Sequence, residues 1–325
     1  MPPSIRTALR RTCVASALLA GAACLESDAA FVYDSAGGRV SAGPPRARRV
    51  GTVEGFYGPE GVKYDPEQDV YFVSNMLGFG SVKDGDGYIV RIDAANLGRS
   101  EIFIRSGRNG VVLDAPKGMA IHGDTLWVTD IDVLRAFDRR TGAPLATVDL
   151  RQQGAVLLND VAVGPDGALR VTDSGIIMSD KGVLHPGGDK VFLVGPNRAI
   201  SVLAEGNVLG RPNGITWDPT GRRWIVVSFD PFHSEVYALN AGTDARTVLA
   251  SGLGKFDGVE VLADGRLLVT SWSDSSVHAF GGGRDERIIR HLINPADLGL
   301  DTRRNRVAVP LVTMNRVEFW QLPGK

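Results

Sequence analysis

Short runs in which apolar and polar residues alternate fill the chain from about residue 49 onward, and no window holds a helical period for long. Residues 160–163, 169–172, 190–194 and 199–204 form one set of four such runs. Residues 214–217, 223–227, 235–239 and 246–250 form the next, and 258–262, 266–271, 276–280 and 287–291 the one after. Val, Ile, Leu, Thr and aromatic residues dominate them, as expected of short strands with one face in a core. Between the first two runs of each set lies a turn cluster, such as Gly164-Pro165-Asp166-Gly167 or Asp218-Pro219-Thr220-Gly221. Proline presets the first turn position there, and Gly or Asp tolerates the backbone angles that follow.

A tripeptide opens each set: Pro59-Glu60-Gly61, Pro116-Lys117-Gly118, Leu158-Asn159-Asp160, Pro212-Asn213-Gly214, Phe256-Asp257-Gly258 and Pro295-Ala296-Asp297. The middle residues recur at intervals between 39 and 57 residues, the spacing of propeller blades. Six sets of four antiparallel strands predict an all-β, six-bladed β-propeller. The sixth set is one strand short, while residues 49–54 precede the first set without a place in it. That N-terminal segment is expected to complete the last blade, which removes two exposed sheet edges. The first strand of each blade lines the central channel, so the six tripeptides ring one mouth. The connections between second and third strands emerge on that same face and are long at 74–87, 173–189 and 228–234. Loops on a rigid scaffold mark this as the functional face.

The chain has 325 residues, 43% hydrophobic and 22% charged, with 40 glycines and a formal net charge of −1. These values suit a folded core and exclude the basic stripe of a nucleic-acid binder, leaving a small molecule as the expected partner and a monomer as the expected state. Arg6, Arg10 and Arg11 precede an apolar stretch from Cys13 to Leu25 that ends in small residues. Residues 1–24 therefore read as a signal peptide, too short in its apolar part for a membrane span. Its end also resembles a lipoprotein box at Cys24, so lipidation and simple cleavage are both open. Both cysteines lie in this leader, and the mature chain has no thiol chemistry. Residues 25–48 read as a flexible tether and 49–325 as the propeller. The expected destination is the periplasm, the outer membrane through a lipid anchor, or the medium.

The ring presents Glu60, Asn159, Asn213 and Asp257 as oxygen donors, beside Lys117 and Ala296. Carboxylate and amide oxygens are hard ligands that suit calcium or another divalent cation, and no His or Cys is present to suggest zinc. Two carboxylates crowded in a dehydrated channel require a proton or a cation. The competing arrangement is a polar plug in which Lys117 bridges Glu60 and Asp257. His185 and His233 lie in mouth loops, where either could serve as an acid or base. Trp127, Trp217, Trp224 and Trp272 are expected to pack between blades.

The phrases Pro59-Glu60-Gly61, Asn159-Asp160 with Pro165-Asp166-Gly167, Arg211-Pro212-Asn213-Gly214 and Asp257-Gly258 resemble the SMP-30, gluconolactonase and luciferin-regenerating-enzyme family of calcium-dependent propeller hydrolases. The resemblance runs over about residues 49 to 323. It implies Glu60, Asn213 and Asp257 as metal ligands and Asn159 as a ligand or substrate contact; Lys117, at the second blade's ring position, departs from the family pattern and is expected either to contact the substrate or to pair with Glu60 in the metal's place. It also implies Asp257 as the group that activates water or attacks the substrate. Leu157 stands two residues before Asn159, where sugar-lactone members tend to carry an arginine that holds the substrate. The expected function is an exported, metal-dependent hydrolase of a small ester, lactone or related electrophile. The alternative is a non-catalytic propeller, similar to NHL-type repeats, that binds a protein or cell-wall partner.

Overall fold

The computed structural model describes residues 46–78, 80–240 and 245–324; the leader, Cys24 and most of the tether lie outside them. Six four-stranded antiparallel sheets follow one another along the chain, with three short 3-10 turns as the helical content of the described residues. The inner strands are Pro59–Asp65, Pro116–His122, Leu158–Val163, Pro212–Asp218, Phe256–Val261 and the shorter Gly299–Asp301. Arg48–Glu54 pairs antiparallel with Arg316–Gln321 and forms the outer strand of the sixth sheet, as the strand count predicted. A small hairpin, Ile177–Ser179 with Gly182–Leu184, extends the third blade's mouth connection.

The core is divided among seams between neighbouring blades. Tyr64, Tyr71 and Tyr88 of the first blade pack with Val317 and Phe319 of the sixth, which joins the chain ends into a ring. Trp127 of the second blade packs against Leu158 and Val161 of the third, and Trp217 and Trp224 lie with Val191 and Leu239 in the next seam. Phe319 is fully buried, and truncating such a side chain to alanine typically costs about 3–5 kcal/mol.

At the end of the inner strands away from the mouth, carboxylates close the turns. Asp65 accepts hydrogen bonds from the backbone N–H groups of Glu67 and Gln68 and from one Arg139 guanidinium nitrogen, Nη1, which lies 2.8 Å from each carboxylate oxygen. Asp218 and Asp301 hold equivalent places and bind their own turns and Arg223 or Arg304.

Candidate active site at the channel mouth

In five blades the pairing of first and second strands slips just after the first residue: after Pro59, Pro116, Leu158, Pro212 and Phe256. Each slip is a β-bulge, which re-aims the side chains that fall within it. The bulged pairs are Glu60-Gly61, Lys117-Gly118, Asn159-Asp160, Asn213-Gly214 and Asp257-Gly258. Glycine is needed because the inner strands almost touch. A Cβ on Gly118 would lie 2.6 Å from the Asp160 Cα, and one on Gly214 would lie 2.5 Å from the Asp257 carbonyl oxygen.

In four of the five bulged blades a hydroxyl on the second strand then fixes the bulge; the fourth blade has Val227 at that position. Thr172 Oγ1 accepts from Asp160 N and donates to the carbonyl of Asn213 in the next blade. Thr270 accepts from Gly258 N and donates to Ala296 O, and Thr129 donates to Asn159 O. The sequence carries this signal as a recurring Val-Ser/Thr near the end of four second strands (Val73-Ser74, Val128-Thr129, Val171-Thr172, Val269-Thr270).

The result is four buried oxygens without partners. Glu60 Oε2, Asn159 Oδ1, Asn213 Oδ1 and Asp257 Oδ1 are shielded from solvent, and none has a hydrogen bond. Buried polar atoms are almost always paired, so four orphans on four successive ring positions of donor type mark a place for a ligand. Among the described residues no three His, Cys, Asp or Glu side chains gather in metal-holding geometry, so amide oxygens would supply half of the donors. That donor set fits a hard divalent cation.

Electrostatics agree. Burial first, then the charge of Asp257, pushes the Glu60 carboxyl well above its ordinary range, against the opposing pull of Lys117. Burial and then Asp160 push Asp257 up to about 8, with the Trp272 side chain opposing. Two carboxyls that resist ionisation while facing unpaired oxygens are the condition a cation relieves.

Lys117 does not bridge the carboxylates. Its ammonium donates to Gly80 O at 2.9 Å and Ala115 O at 3.1 Å, and among the described residues it forms no ion pair with Glu60 or Asp257. Burial lowers its pKa, against the pull of Glu60 and Asp130. Two of its three N–H bonds are spent on carbonyls, leaving one for the mouth. Asp160 is turned toward the neighbouring blade, where its carboxylate accepts from Val161 N and from Ile215 N at 2.8 Å. Asp297 joins the sixth blade to the first through its backbone, donating to Glu60 O and accepting from Val62 N. Deeper in the channel Lys63 pairs with Glu260 at 3.1 Å.

The histidines stand apart from the ring. His185 Nε2 lies 2.5 Å from Asp189, which also accepts from Arg211 N and so braces the third blade's loop. His233 is exposed beside Glu235. Trp272 packs between blades as expected, although it stands just past a strand end. It follows the second strand of the fifth blade, meets Phe229 of the fourth blade edge-on at 5.3 Å, and turns a buried Nε1 toward the Asp257 carboxyl without completing a hydrogen bond.

Fold and site together define a six-bladed propeller with an oxygen-donor ring at one channel mouth. Residues 58–297 match the SMP-30/Gluconolactonase/LRE-like region, and the chain belongs to that family. Among solved structures it is similar to a gluconolactonase from Xanthomonas campestris, at 18% identity and TM-score 0.65, over 87% of this chain and 96% of that one. It is also similar to a luciferin-regenerating enzyme, at 12% identity and TM-score 0.61, over 84% and 93% of the two chains. A nidogen/laminin complex contains a further similar chain, at 20% identity and TM-score 0.55, over 71% and 82%. At these identities the structural likeness speaks for the fold alone. No curated protein matches the sequence.

Proposed function

We propose that the protein is a divalent-cation-dependent hydrolase of a small ester or lactone, with calcium as the ion. The four partnerless oxygens of Glu60, Asn159, Asn213 and Asp257 carry this reading. Bound there, a cation supplies electrophilic polarisation of a carbonyl or phosphoryl oxygen. Glu60 and Asn213 hold position through bulges that cannot relax, and Asn159 either joins them or orients the substrate. The third N–H of Lys117 is free to meet a substrate oxygen. Asp257, as the carboxylate, takes a proton from the attacking water and returns it to the departing alkoxide oxygen. Water is consumed, and an acid and an alcohol, or one hydroxy acid from a lactone, are formed.

The mature chain is further proposed to be exported, by simple cleavage of the leader or with a lipid on Cys24, and to act as a monomer on a small molecule. Chelator is expected to lower the melting temperature and calcium to restore it. Asp257→Asn is expected to reduce hydrolysis at least a hundredfold, within the range for loss of a general base. A purified protein that carries no ion and ignores chelator would sink the reading in favour of a non-catalytic binding propeller.

A further inference from the structure

One rung above the oxygen ring lies a second repeated set of side chains. The first residue of each inner strand or its equivalent pairs with the last of the second strand: Pro59 with Asn75, Pro116 with Asp130, Leu158 with Asp173, Pro212 with Ser228, Phe256 with Ser271 and Pro295 with Leu311. The next residue on each second strand therefore stands at the mouth. Those residues are Met76, Ile131, Ser174, Phe229, Trp272 and Val312. Five of the six are apolar. The exception, Ser174, spends its hydroxyl on Pro212 O at 2.8 Å.

The collar has two parts. Met76, Ile131, Leu157 and Ile176 form one buried apolar cluster with Met178 and Val312 packed against it, reaching from the sixth blade to the third. Phe229 and Trp272 close the other side. The two carboxylates just below are committed elsewhere: Asp130 accepts from Asp114 N and Ala115 N, and Asp173 from Val156 N and Leu157 N. Beyond the collar, Tyr57, Phe232, Leu253 and Ile293 on the same face are all more than half exposed. The Met178 methyl and Lys117 Nζ both approach Gly80, and methionine's three rotatable bonds let such a side chain repack around a ligand.

We infer that this collar selects an ester or lactone with a hydrocarbon acyl part over a polyhydroxylated one. The inference rests on the hydrolase reading for its chemistry, and on the collar alone for its specificity. The carbonyl sits at the oxygen ring, with Lys117 Nζ and Trp272 Nε1 as donors, and the alkyl part lies against Met, Ile, Leu and Trp. A sugar lactone would bury hydroxyls against groups that cannot bond them, a loss of about tenfold for each hydroxyl left unpaired.

The test uses calcium-loaded full-length mature protein. Hydrolysis rates are compared across γ-butyrolactone, γ-hexalactone, γ-nonalactone and D-glucono-δ-lactone. Independently, calorimetry measures binding of butanoate, hexanoate, octanoate and gluconate. Affinity and kcat/KM are expected to rise by up to about fourfold for each methylene buried. Gluconate and its lactone fall at the bottom of each series. Trp272→Ala and Met178→Ser should flatten the chain-length slope, and Trp272→Phe should keep it. If no lactone is hydrolysed while alkanoate affinity still climbs with length, the apolar site stands and the hydrolase reading falls. A flat affinity series, or a preference for glucono-δ-lactone, overturns the inference.

Discussion

The two ends of the inner strands bury the same kind of group and treat it in opposite ways. Away from the mouth, Asp65 is fully buried and its carboxylate is saturated by Arg139, Gln68 and two backbone N–H groups. Against the cost of burial, these bonds hold its pKa below the ordinary carboxylate value. At the mouth, Asp257 is equally buried, keeps one oxygen unbonded, and has its pKa pushed up to about 8. A buried charge is tolerated when it is paired and is costly when it is not. The first arrangement closes a turn and ties one blade to the next. The second leaves a demand that only a ligand from outside the chain can meet. Six-fold repetition supplies both: every blade needs a turn at one end, and the bulge at the other end is free to present whatever side chain the position carries.

Substitutions at the two ends should separate these roles. Asp65→Ala strands the buried Arg139 guanidinium, and loss of one partner of a buried pair is expected to cost about 3–5 kcal/mol, read from urea unfolding. The deficit relative to wild type should be the same with calcium as with chelator. At the mouth the comparison reverses. Wild-type protein with calcium at a hundredfold excess over its Kd should gain about 2.7 kcal/mol over chelated protein, read as a shift in melting temperature. A deficit of Asp65→Ala relative to wild type that calcium narrows, or a wild type indifferent to chelator, would erase the distinction between the ends.

Much of this was legible in the sequence. The alternation of short runs and the spacing of six tripeptides gave blade count, strand order and the closing role of Arg48–Glu54, because a period of two and a repeat of about one blade are local properties. Glu60, Asn159, Asn213 and Asp257 were placed at one mouth for the same reason. What the sequence did not show depends on contacts between blades. The hydroxyl clasps of Thr129, Thr172 and Thr270 reach a neighbouring blade, and the direction of Asp160 is set by Ile215 N, some fifty residues on. The fate of Lys117 turned on carbonyls of Gly80 and Ala115, one of them in a loop whose path no periodicity describes.

A smaller effect tests whether the mouth carboxyls are held back by charge. A carboxyl with a raised folded pKa keeps its proton in the native state while the unfolded chain has already lost it. The native state then binds more protons between the ordinary value near 4 and the folded value, and stability falls as pH rises through that interval. For Asp257 the interval ends at about 8. Metal-free protein should therefore weaken from about pH 4 to about pH 8, and the stabilisation by calcium should grow over the same span. Asp257→Asn removes the ionisable group but keeps its shape. It should stabilise the metal-free protein at the alkaline end by about 1–3 kcal/mol and shrink the calcium response. Destabilisation by Asp257→Asn at high pH would show that its carboxylate has a partner after all.

The smallest effect serves as a control on the outer part of the fifth blade. His278 lies between Asp274 at 2.8 Å and Asp285 at 2.6 Å and stacks on Phe280. Burial alone would lower its pKa, but the two carboxylates outweigh burial and raise it. The charged imidazole thus contributes stability that is fully present below its unfolded value near 6.5 and is lost as pH rises through the folded value. This decline runs in the same direction as that of the mouth carboxyls and overlaps it above neutrality. The two differ in partner. His278→Gln should remove at most about 1 kcal/mol of pH-dependent stability, equally with calcium and with chelator. A calcium-dependent change at His278 would mean that the outer strands report on the ring, and the mouth would then no longer be energetically separate from the blades that carry it.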